Sequence, residues 1–319
     1  MAVIDVENLT QDYGHGRGVF DVSFSVEKGQ VFGFLGPNGA GKSTTIRHIM
    51  GFSKPQSGST KVFGMESFSN YYKILASVGY LPGEIALPEG LTGWEFIKMM
   101  SDLRHIHNKE LLNKLLEMFE LNPAGETKKM SLGDKRKLAI VTAFMGDPEV
   151  LILDEPTSGL DPVMQQVFID YVKEEKKRGK TILLSSHMFN EVEVTCDDIA
   201  IIKDGKIVSR FATTKIKHNE NKNFEVELLN KQNFVKLLEE FPKGKKNTKA
   251  IKKIEILSSN PENLKVTIGV NDKDVNELIA KLSEFNVKSF KENKFTLEDY
   301  FMQFYREDKD FGGTQWKKK

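Results

Sequence analysis

The run GPNGAGKST at residues 36–44 limits the possible folds of this chain more than any other segment. It fits the pattern Gly-x-x-x-x-Gly-Lys-Ser/Thr, whose glycines let successive backbone N–H groups point toward phosphate oxygens. The apolar segment 31–35 precedes the run and predicts a buried strand, and residues 45–50 follow it with a helical pattern. A strand, loop and helix in this order form a phosphate-binding loop. The sequence therefore predicts an α/β fold that binds phosphate groups at this loop.

A second segment supplies the acidic residues that phosphoryl transfer needs. In the loop, Lys42 can reach β- and γ-phosphates, and the hydroxyl of Ser43 can bind Mg²⁺. The apolar segment 150–153 predicts another buried strand, and Asp154 at its end can hold the same metal through water. Glu155 follows directly and can orient an attacking water and accept its proton. An acidic pair at a strand end is common, but together with the phosphate loop it favours nucleotide hydrolysis.

The composition describes a globular chain of two domains. The 319 residues are long for one domain, and a hydrophobic content of 39% suffices for a sizeable core. The net charge of +1 argues against a nucleic-acid partner. Cys196 is the only cysteine, which excludes an internal disulfide and a cysteine metal site. No apolar run approaches the ~18–20 residues of a membrane span, and the start does not read as a signal peptide, so we expect a cytoplasmic protein.

The first domain is predicted at residues 1–214. Alternating apolar residues within 3–26 indicate an antiparallel β subdomain. A helical subdomain is predicted at about 84–147, and the α/β pattern resumes at Val150.

Local signals predict where individual elements begin and end. Thr92 and Glu95 form a capping-box pair at the start of one helix, and Pro123 is expected to end the next. Asp161 and Pro162 start a helix that Gly179 ends. Asp204-Gly205 predicts a hairpin turn between two strands.

A second domain is predicted at residues 215–319, where the phosphate-chemistry motifs cease. Its strands and helices are expected in the order β-α-β-β-α-β, with a strand at 251–257 and a final helix that begins near Thr296. This order is typical of a ferredoxin-like α+β sandwich.

Three short motifs resemble those of the ATP-binding cassette (ABC) family. Residues 130–134, MSLGD, resemble its signature motif, and 158–161, SGLD, resemble its D-loop. Residues 185–187, SSH, resemble its H-loop, and Tyr13 occupies the place of its adenine-stacking aromatic residue. The resemblance covers about residues 3–211. Within the family, the chain most resembles the ATPase subunits of bacterial exporters whose permease is a separate polypeptide.

The resemblance implies a role for each residue that matches a family motif. The residues implied to bind ATP are Tyr13, Gly36, Pro37, Asn38, Gly39, Ala40, Gly41, Lys42, Ser43, Thr44, Ser131, Gly133 and Asp161. Lys42, Glu155 and His187 are implied to be catalytic. Ser43 and Asp154 are implied to hold Mg²⁺.

The resemblance also implies partners. Two copies would pair head to tail, with Ser131 and Gly133 of one copy against the ATP of the other. A multi-span membrane permease would hold the pair at the inner face of the cell membrane, around loop 82–84 and the helices of 94–118. The second domain is expected to have an accessory or regulatory role. The transported substrate does not contact this subunit, so the motifs leave it open.

Some positions depart from the family pattern. Leu132 replaces the first signature glycine, and Asp134 replaces the signature glutamine. Gly83 stands where the family has a glutamine that faces the metal and the attacking water, and Glu84 follows it. We hypothesise that Glu84 takes this metal-facing role through a shift of one residue.

Alternative functions are an ABC ATPase that acts on DNA or ribosomes, a P-loop kinase or GTPase, and a catalytically weak regulatory subunit. The first class usually has two cassettes or a long coiled-coil insertion, which this sequence lacks. The signature-like motif, His187 and the absence of an Asn-Lys-x-Asp motif disfavour the second class. The departures at Gly83 and Asp134 keep the third alternative open.

Overall fold

The computed structural model describes residues 2–217, 221–242, 254–293 and 296–305. The chain divides into two units, Met1–Thr213 and Thr214–Lys319, and each has a hydrophobic core of its own. Within the described ranges, no helix is long and apolar enough to cross a membrane.

Strands and helices alternate through most of the first unit. Its strands are β1 (Ala2–Asp12), β2 (Gly18–Glu27), β3 (Val31–Leu35), β4 (Ser57–Val62), β5 (Met65–Glu66), β6 (Val78–Leu81), β7 (Val150–Asp154), β8 (Thr181–Ser186), β9 (Asp198–Lys203) and β10 (Lys206–Ala212). Its helices are α1 (Lys42–Ile49), α2 (Tyr71–Ser77), α3 (Gly93–Arg104), α4 (Lys109–Met118), α5 (Leu132–Phe144), α6 (Pro162–Lys177) and α7 (Phe189–Thr195).

A six-stranded sheet forms the centre of this unit, in the order β10-β9-β3-β8-β7-β6. Strand β3 pairs in parallel with β8 and β9, and β7 pairs in parallel with β8 and β6. Strands β3, β7 and β8 are buried along their whole length, which is typical of parallel strands covered on both faces. Because these strands are parallel and adjacent, the loops after β3, β7 and β8 meet at one edge of the sheet.

A second sheet, in the order β2-β1-β4-β5, is antiparallel and confirms the predicted β subdomain. Its buried residues belong to the same core as those of the central sheet. Phe24 of β2 stacks on Phe32 of β3, with ring centroids 5.0 Å apart.

Helices α3 to α5 lie in the predicted helical segment. The backbone N–H of Thr92 donates to the Glu95 carboxylate at 2.7 Å, and the N–H of Glu95 donates to the Thr92 hydroxyl at 3.2 Å, so the predicted capping box is confirmed. The prediction that Pro123 ends the next helix is wrong. Helix α4 ends at Met118, and Glu120 has a left-handed φ of 49°. Pro123 instead accepts a hydrogen bond from the Trp94 N–H at the start of α3, at 3.0 Å.

Two other predicted element boundaries are confirmed. Asp161 caps α6, Pro162 is its first residue, and Gly179 follows its end with a φ of 81°. Asp204 and Gly205 join β9 and β10 with φ values of 48° and 74°. Positive φ at both central residues is the conformation that tight hairpin turns require.

The second unit has one antiparallel sheet, in the order β12-β13-β11-β14. Its elements are α8 (Thr214–Lys217), β11 (Asn221–Leu228), α9 (Lys231–Glu240), β12 (Ile254–Asn260), β13 (Lys265–Asn271), α10 (Val275–Leu282), β14 (Val287–Asn293) and α11 (Leu297–Tyr305). The strand predicted at 251–257 begins outside the described residues, which resume at Ile254. The ferredoxin-like assignment of this unit stays a prediction.

Candidate active site

The phosphate loop connects β3 to α1 and has the backbone shape that its glycines allow. Gly39 and Gly41 have φ values of 84° and 109°, which a residue with a side chain rarely adopts. A Cβ at Gly41 would also lie 2.7 Å from a methyl group of Val19. Helix α1 begins at the next residue and has no side-chain cap at its start. Its first N–H groups and its dipole therefore favour an anion at this position.

Lys42 is the cation of this loop, and its side chain is only 5% exposed. Its Nζ atom donates to the carbonyl oxygens of Gly36 at 2.6 Å and Pro37 at 3.1 Å. The same atom lies 2.9 Å from Oε1 of Glu155. The loop backbone and Glu155 thus hold the ammonium group at the mouth of the loop.

Glu155 lies between two of the predicted catalytic side chains. Its backbone follows β7 with a left-handed φ of 48°, and its N–H donates to the Ser185 carbonyl of β8 at 3.0 Å. Its Oε2 atom is 2.6 Å from Nδ1 of His187. A carboxylate can only accept, so Nδ1 carries the proton of this bond and Nε2 is left to face a substrate. The geometry brings together a cation, a carboxylate and an imidazole from three loops.

Asp154 is buried at the end of β7 and accepts a hydrogen bond from the Ser185 hydroxyl. Ser43 of α1 faces the same cleft. A hydroxyl and a carboxylate, with phosphate oxygens and water, are the oxygen ligands that Mg²⁺ takes in nucleotide sites. Within the part of the chain that the structure describes, no cluster of three or more His, Cys, Asp and Glu side chains could hold a metal by itself. The residues present therefore fit a metal that the nucleotide helps to bind.

A cleft of about 610 Å³ joins these groups. Its lining residues come from the phosphate loop and α1, from β6 and the loop after it, and from the ends of β7 and β8 with the loops that follow them. They are Asn38, Gly39, Gly41, Lys42, Ser43, Thr44, Arg47, Tyr80, Pro82, Gly83, Glu84, Ala86, Asp154, Glu155, Ser158 and His187. Sequence reasoning did not identify Arg47, Tyr80 or Ala86 as cleft residues, because no motif marks them as ligands. Ser158 belongs to the D-loop motif but was not named as a ligand.

Seven residues implied to bind ATP are not among the described residues that line this cleft: Gly36, Pro37 and Ala40 of the phosphate loop, and Tyr13, Ser131, Gly133 and Asp161. Tyr13 lies between β1 and β2 and is 56% exposed. Ser131 caps α5, Gly133 lies in its first turn, and Asp161 caps α6. Hydrogen bonds from the Met164 and Val163 N–H groups lower the pKa of Asp161. Its carboxylate therefore caps the start of α6. Roles of these seven residues toward ATP stay predictions.

The two signature departures have a local explanation. Asp134 turns back to the helix start, where its N–H donates to the Ser131 hydroxyl at 3.1 Å and its carboxylate accepts from that hydroxyl at 2.7 Å. Ser131 and Asp134 thus form a capping pair, and the extra carboxylate has a partner in its own helix. Leu132 is 64% exposed, and its Cγ would lie 3.0 Å from a Cβ added at Gly159. The signature and the D-loop are thus in contact within one chain.

The loop after β6 lies directly on Asp154. A Cβ added at Gly83 would lie 2.9 Å from Oδ2 and 3.2 Å from Cγ of Asp154, so the position has no room for a side chain unless Asp154 moves. Glu84 lines the cleft and is exposed. Its proposed role toward the metal stays a prediction.

A buried glutamate lies behind the His187 loop and gives a pH-dependent prediction. Glu191 of α7 accepts a bond from the Ser186 hydroxyl at 2.6 Å, and burial raises its pKa to about 7 from 4.5. The folded state therefore keeps a proton that the unfolded state has lost. The contribution of Glu191 to the free energy of unfolding is complete below about pH 4.5. It is lost as the pH rises to about 7, a change of about 3 kcal/mol.

We expect Glu191→Gln to remove this pH dependence, since an amide still accepts from Ser186 but does not ionise. The free energy of unfolding of the variant, relative to wild type, should rise between pH 5 and pH 8. Urea denaturation at both pH values measures it. The control is Glu175→Gln, because Glu175 is equally buried but pairs with Arg178 at 2.6 Å. An unchanged difference between Glu191→Gln and wild type at the two pH values would contradict the prediction.

Known proteins resemble this chain in sequence. Residues 19–158 match the family model described as ABC transporter. The bacitracin transport ATP-binding protein BcrA of Bacillus licheniformis is 36% identical, over 75% of this chain and 79% of that protein. The linearmycin resistance ATP-binding protein LnrL of Bacillus subtilis is 39% identical, over 65% and 68% of the two chains. The uncharacterized ABC transporter ATP-binding protein YcbN of Bacillus subtilis is 29% identical over 94% and 96%, a likeness that reaches into the second unit.

Solved structures resemble the chain in fold. The ATP binding subunit of an ABC transporter superposes with a TM-score of 0.62 at 31% identity, over 67% of this chain and 92% of that chain. The ATP-binding cassette MJ0796, as a dimer in a post-hydrolysis state with ADP and Pi, superposes with a TM-score of 0.60 at 20% identity, over 66% and 98%. At that identity the second likeness concerns the fold alone.

Proposed function

Since this chain belongs to the ABC transporter ATP-binding proteins, we propose that it powers export through a separate multi-span membrane permease. The chain is an ATPase. The observation that best supports the proposal is the convergence of Lys42, Glu155 and His187 in one cleft. Relatives whose names refer to bacitracin transport and linearmycin resistance favour export over import.

The cleft residues have different roles in ATP hydrolysis. The N–H groups of the phosphate loop and Lys42 bind the phosphates, and the γ-phosphate replaces Glu155 as the partner of the ammonium group. Glu155 then orients the attacking water and accepts its proton, while the Nδ1–H of His187 holds the carboxylate in place. Asp154 and Ser43 would hold Mg²⁺, which neutralises charge on the β- and γ-phosphates when bound. Positioning and charge neutralisation supply most of the catalysis in this class of reaction.

We propose that the working state is a head-to-tail pair of copies. Ser131 begins α5 at an exposed position, and a helix N-terminus binds phosphate. In the pair, this end of α5 would complete the site around the nucleotide of the other copy. Closure of the pair would move the permease, and hydrolysis would reopen it. The second unit would serve an accessory or regulatory role.

Co-expression tests the proposed partner. A multi-span hydrophobic protein encoded beside this gene is tagged and purified from membranes, with and without the chain. We expect the chain to copurify and to occur in the membrane fraction only when this protein is present. Deletion of the gene should increase susceptibility to peptide antibiotics such as bacitracin, and the Glu155→Gln gene should not restore resistance. A chain that never enters the membrane fraction would contradict the proposed partner.

A catalytically weak regulatory subunit is the second candidate, because Gly83 and Asp134 depart from the family pattern. The two candidates differ in steady-state ATPase activity. A chain that copurifies with the permease but hydrolyses ATP no faster than its Glu155→Gln variant would favour the regulatory role.

A further inference from the structure

Arg136, in the second turn of α5, carries a role that no family motif assigns. Its side chain is only 3% exposed, and its three donor atoms all bind backbone carbonyl oxygens. Nη1 donates to Pro82 at 2.9 Å, Nη2 to Gly83 at 2.6 Å, and Nε to Ser158 at 2.9 Å. One guanidinium therefore ties together the loop after β6, the D-loop and the signature helix.

We propose that Arg136 is a positioning residue that presses the backbone of Pro82 and Gly83 onto Asp154 and so holds this carboxylate ready for the metal. The inference rests on the proposed metal role of Asp154. Because Gly83 has no side chain, the loop can act on Asp154 only through its backbone.

Gly83, in the loop after β6, lies so close to Asp154 that the position of this loop affects the carboxylate. Gly83 contributes no side chain, and its Cα is so close to Asp154 that an added Cβ would reach Oδ2 at 2.9 Å. The Ser185 hydroxyl holds the other carboxylate oxygen, Oδ1. Asp154 is thus hydrogen-bonded to a strand residue at one oxygen, and the loop held by Arg136 lies close to the other. Groups that orient a metal ligand in this way typically change metal affinity by about 10- to 100-fold when removed.

Arginine suits this position because of its geometry. Its planar fork presents donors in fixed directions, so one side chain can serve two successive carbonyls and a third on another loop. A lysine in its place has one ammonium group and cannot reach all three acceptors in that geometry. Burial lowers the pKa of Arg136, and the nearby charges of Asp154 and Glu155 oppose that shift. Because a guanidinium is not deprotonated in proteins, the side chain stays charged near these carboxylates.

The link also couples two sites. Ser131 caps the helix that carries Arg136, and the D-loop carbonyl of Ser158 binds the same guanidinium. A movement of α5, when its start engages the nucleotide of a second copy, would be passed to Gly83 and from there to Asp154. The metal site of one copy would in this way respond to the nucleotide of the other.

The test measures metal dependence rather than activity alone. Binding of a fluorescent ATP analogue is titrated with Mg²⁺, and again in EDTA, for wild type, Arg136→Met and Arg136→Lys. We expect Arg136→Met to raise the Mg²⁺ concentration at half-maximal binding by about tenfold. Its nucleotide affinity in EDTA should stay within about twofold of wild type, and Arg136→Lys should fall between the two.

A matched control separates positioning from stability. Arg104 is half-buried and donates to the carbonyl oxygens of Val78 at 3.0 Å and Thr142 at 3.4 Å, but it does not line the cleft. Arg104→Met should lower the unfolding temperature without changing the Mg²⁺ dependence. Gly83→Ala keeps Arg136 but pushes a methyl group against Asp154, and it should raise the Mg²⁺ requirement as Arg136→Met does.

Each result decides one claim. If wild type binds the analogue equally with Mg²⁺ and EDTA, the proposed metal role of Asp154 is wrong. If wild type depends on Mg²⁺ but Arg136→Met and Gly83→Ala behave as wild type, the role of Arg136 alone is wrong. The same follows if Arg104→Met shifts the Mg²⁺ requirement as much as Arg136→Met.

Discussion

Replacement of Glu155 with glutamine is expected to lower the kcat for ATP hydrolysis by about 10³-fold, within the range of a lost general base. An amide cannot accept the proton of the attacking water. Nucleotide binding should persist or strengthen, because Lys42 loses the carboxylate that lies 2.9 Å from it and becomes available to the γ-phosphate. We therefore expect Glu155→Gln to hold ATP without turnover and to stabilise an ATP-dependent pair of copies. Phosphate release gives kcat, and light scattering gives the size of the particle.

Glu175→Gln is the matched control for this prediction. Glu175 is a buried glutamate of α6 whose partner is Arg178, and it is not among the residues that line the cleft. The control should lose stability but keep wild-type kcat. A kcat of Glu155→Gln within about threefold of wild type would show that another group accepts the proton. Light scattering that reports a monomer for Glu155→Gln at saturating ATP would count against the proposed pair.

Motifs that combine local chain geometry with chemistry predicted much of the site. The phosphate loop needs left-handed glycines, and Gly39 and Gly41 adopt that conformation. Buried apolar segments predicted β3 and β7, and their ends carry the loop and Asp154. Once β3, β8 and β7 are parallel neighbours, Lys42, Glu155 and His187 must approach one another.

Contacts that depend on backbone atoms could not be predicted. Arg136 binds three carbonyl groups, and carbonyl groups are the same in every residue, so no spacing or residue type in the sequence marks their positions. The approach of Gly83 to Asp154 likewise follows from how two strands end beside each other. The end of α4 was missed because the chain leaves the helix at Glu120, whose φ of 49° is left-handed, before it reaches Pro123.

Replacement of Lys42 with methionine is expected to weaken ATP binding by about 100-fold and to abolish measurable hydrolysis. Methionine keeps most of the buried stem but removes the charge that the loop carbonyls and Glu155 surround. Loss of one charge from a buried, hydrogen-bonded contact weakens an interaction by about 2–5 kcal/mol, which corresponds to roughly 30-fold or more in affinity. Titration with a fluorescent ATP analogue measures the loss.

Lys180→Met is the matched control, since Lys180 is also a buried lysine and its ammonium lies 2.6 Å from Asp147, but it does not line the cleft. We expect Lys180→Met to lower stability and to leave ATP binding unchanged. Comparison of Lys42→Met with Glu155→Gln separates phosphate binding by Lys42 from a structural role of its ion pair. Both Lys42→Met and Glu155→Gln break the same ion pair, so a merely structural role of that pair would give both variants the same binding defect. Opposite effects, with weaker binding in Lys42→Met and retained binding in Glu155→Gln, are expected only if the phosphate takes the place of Glu155 beside Lys42.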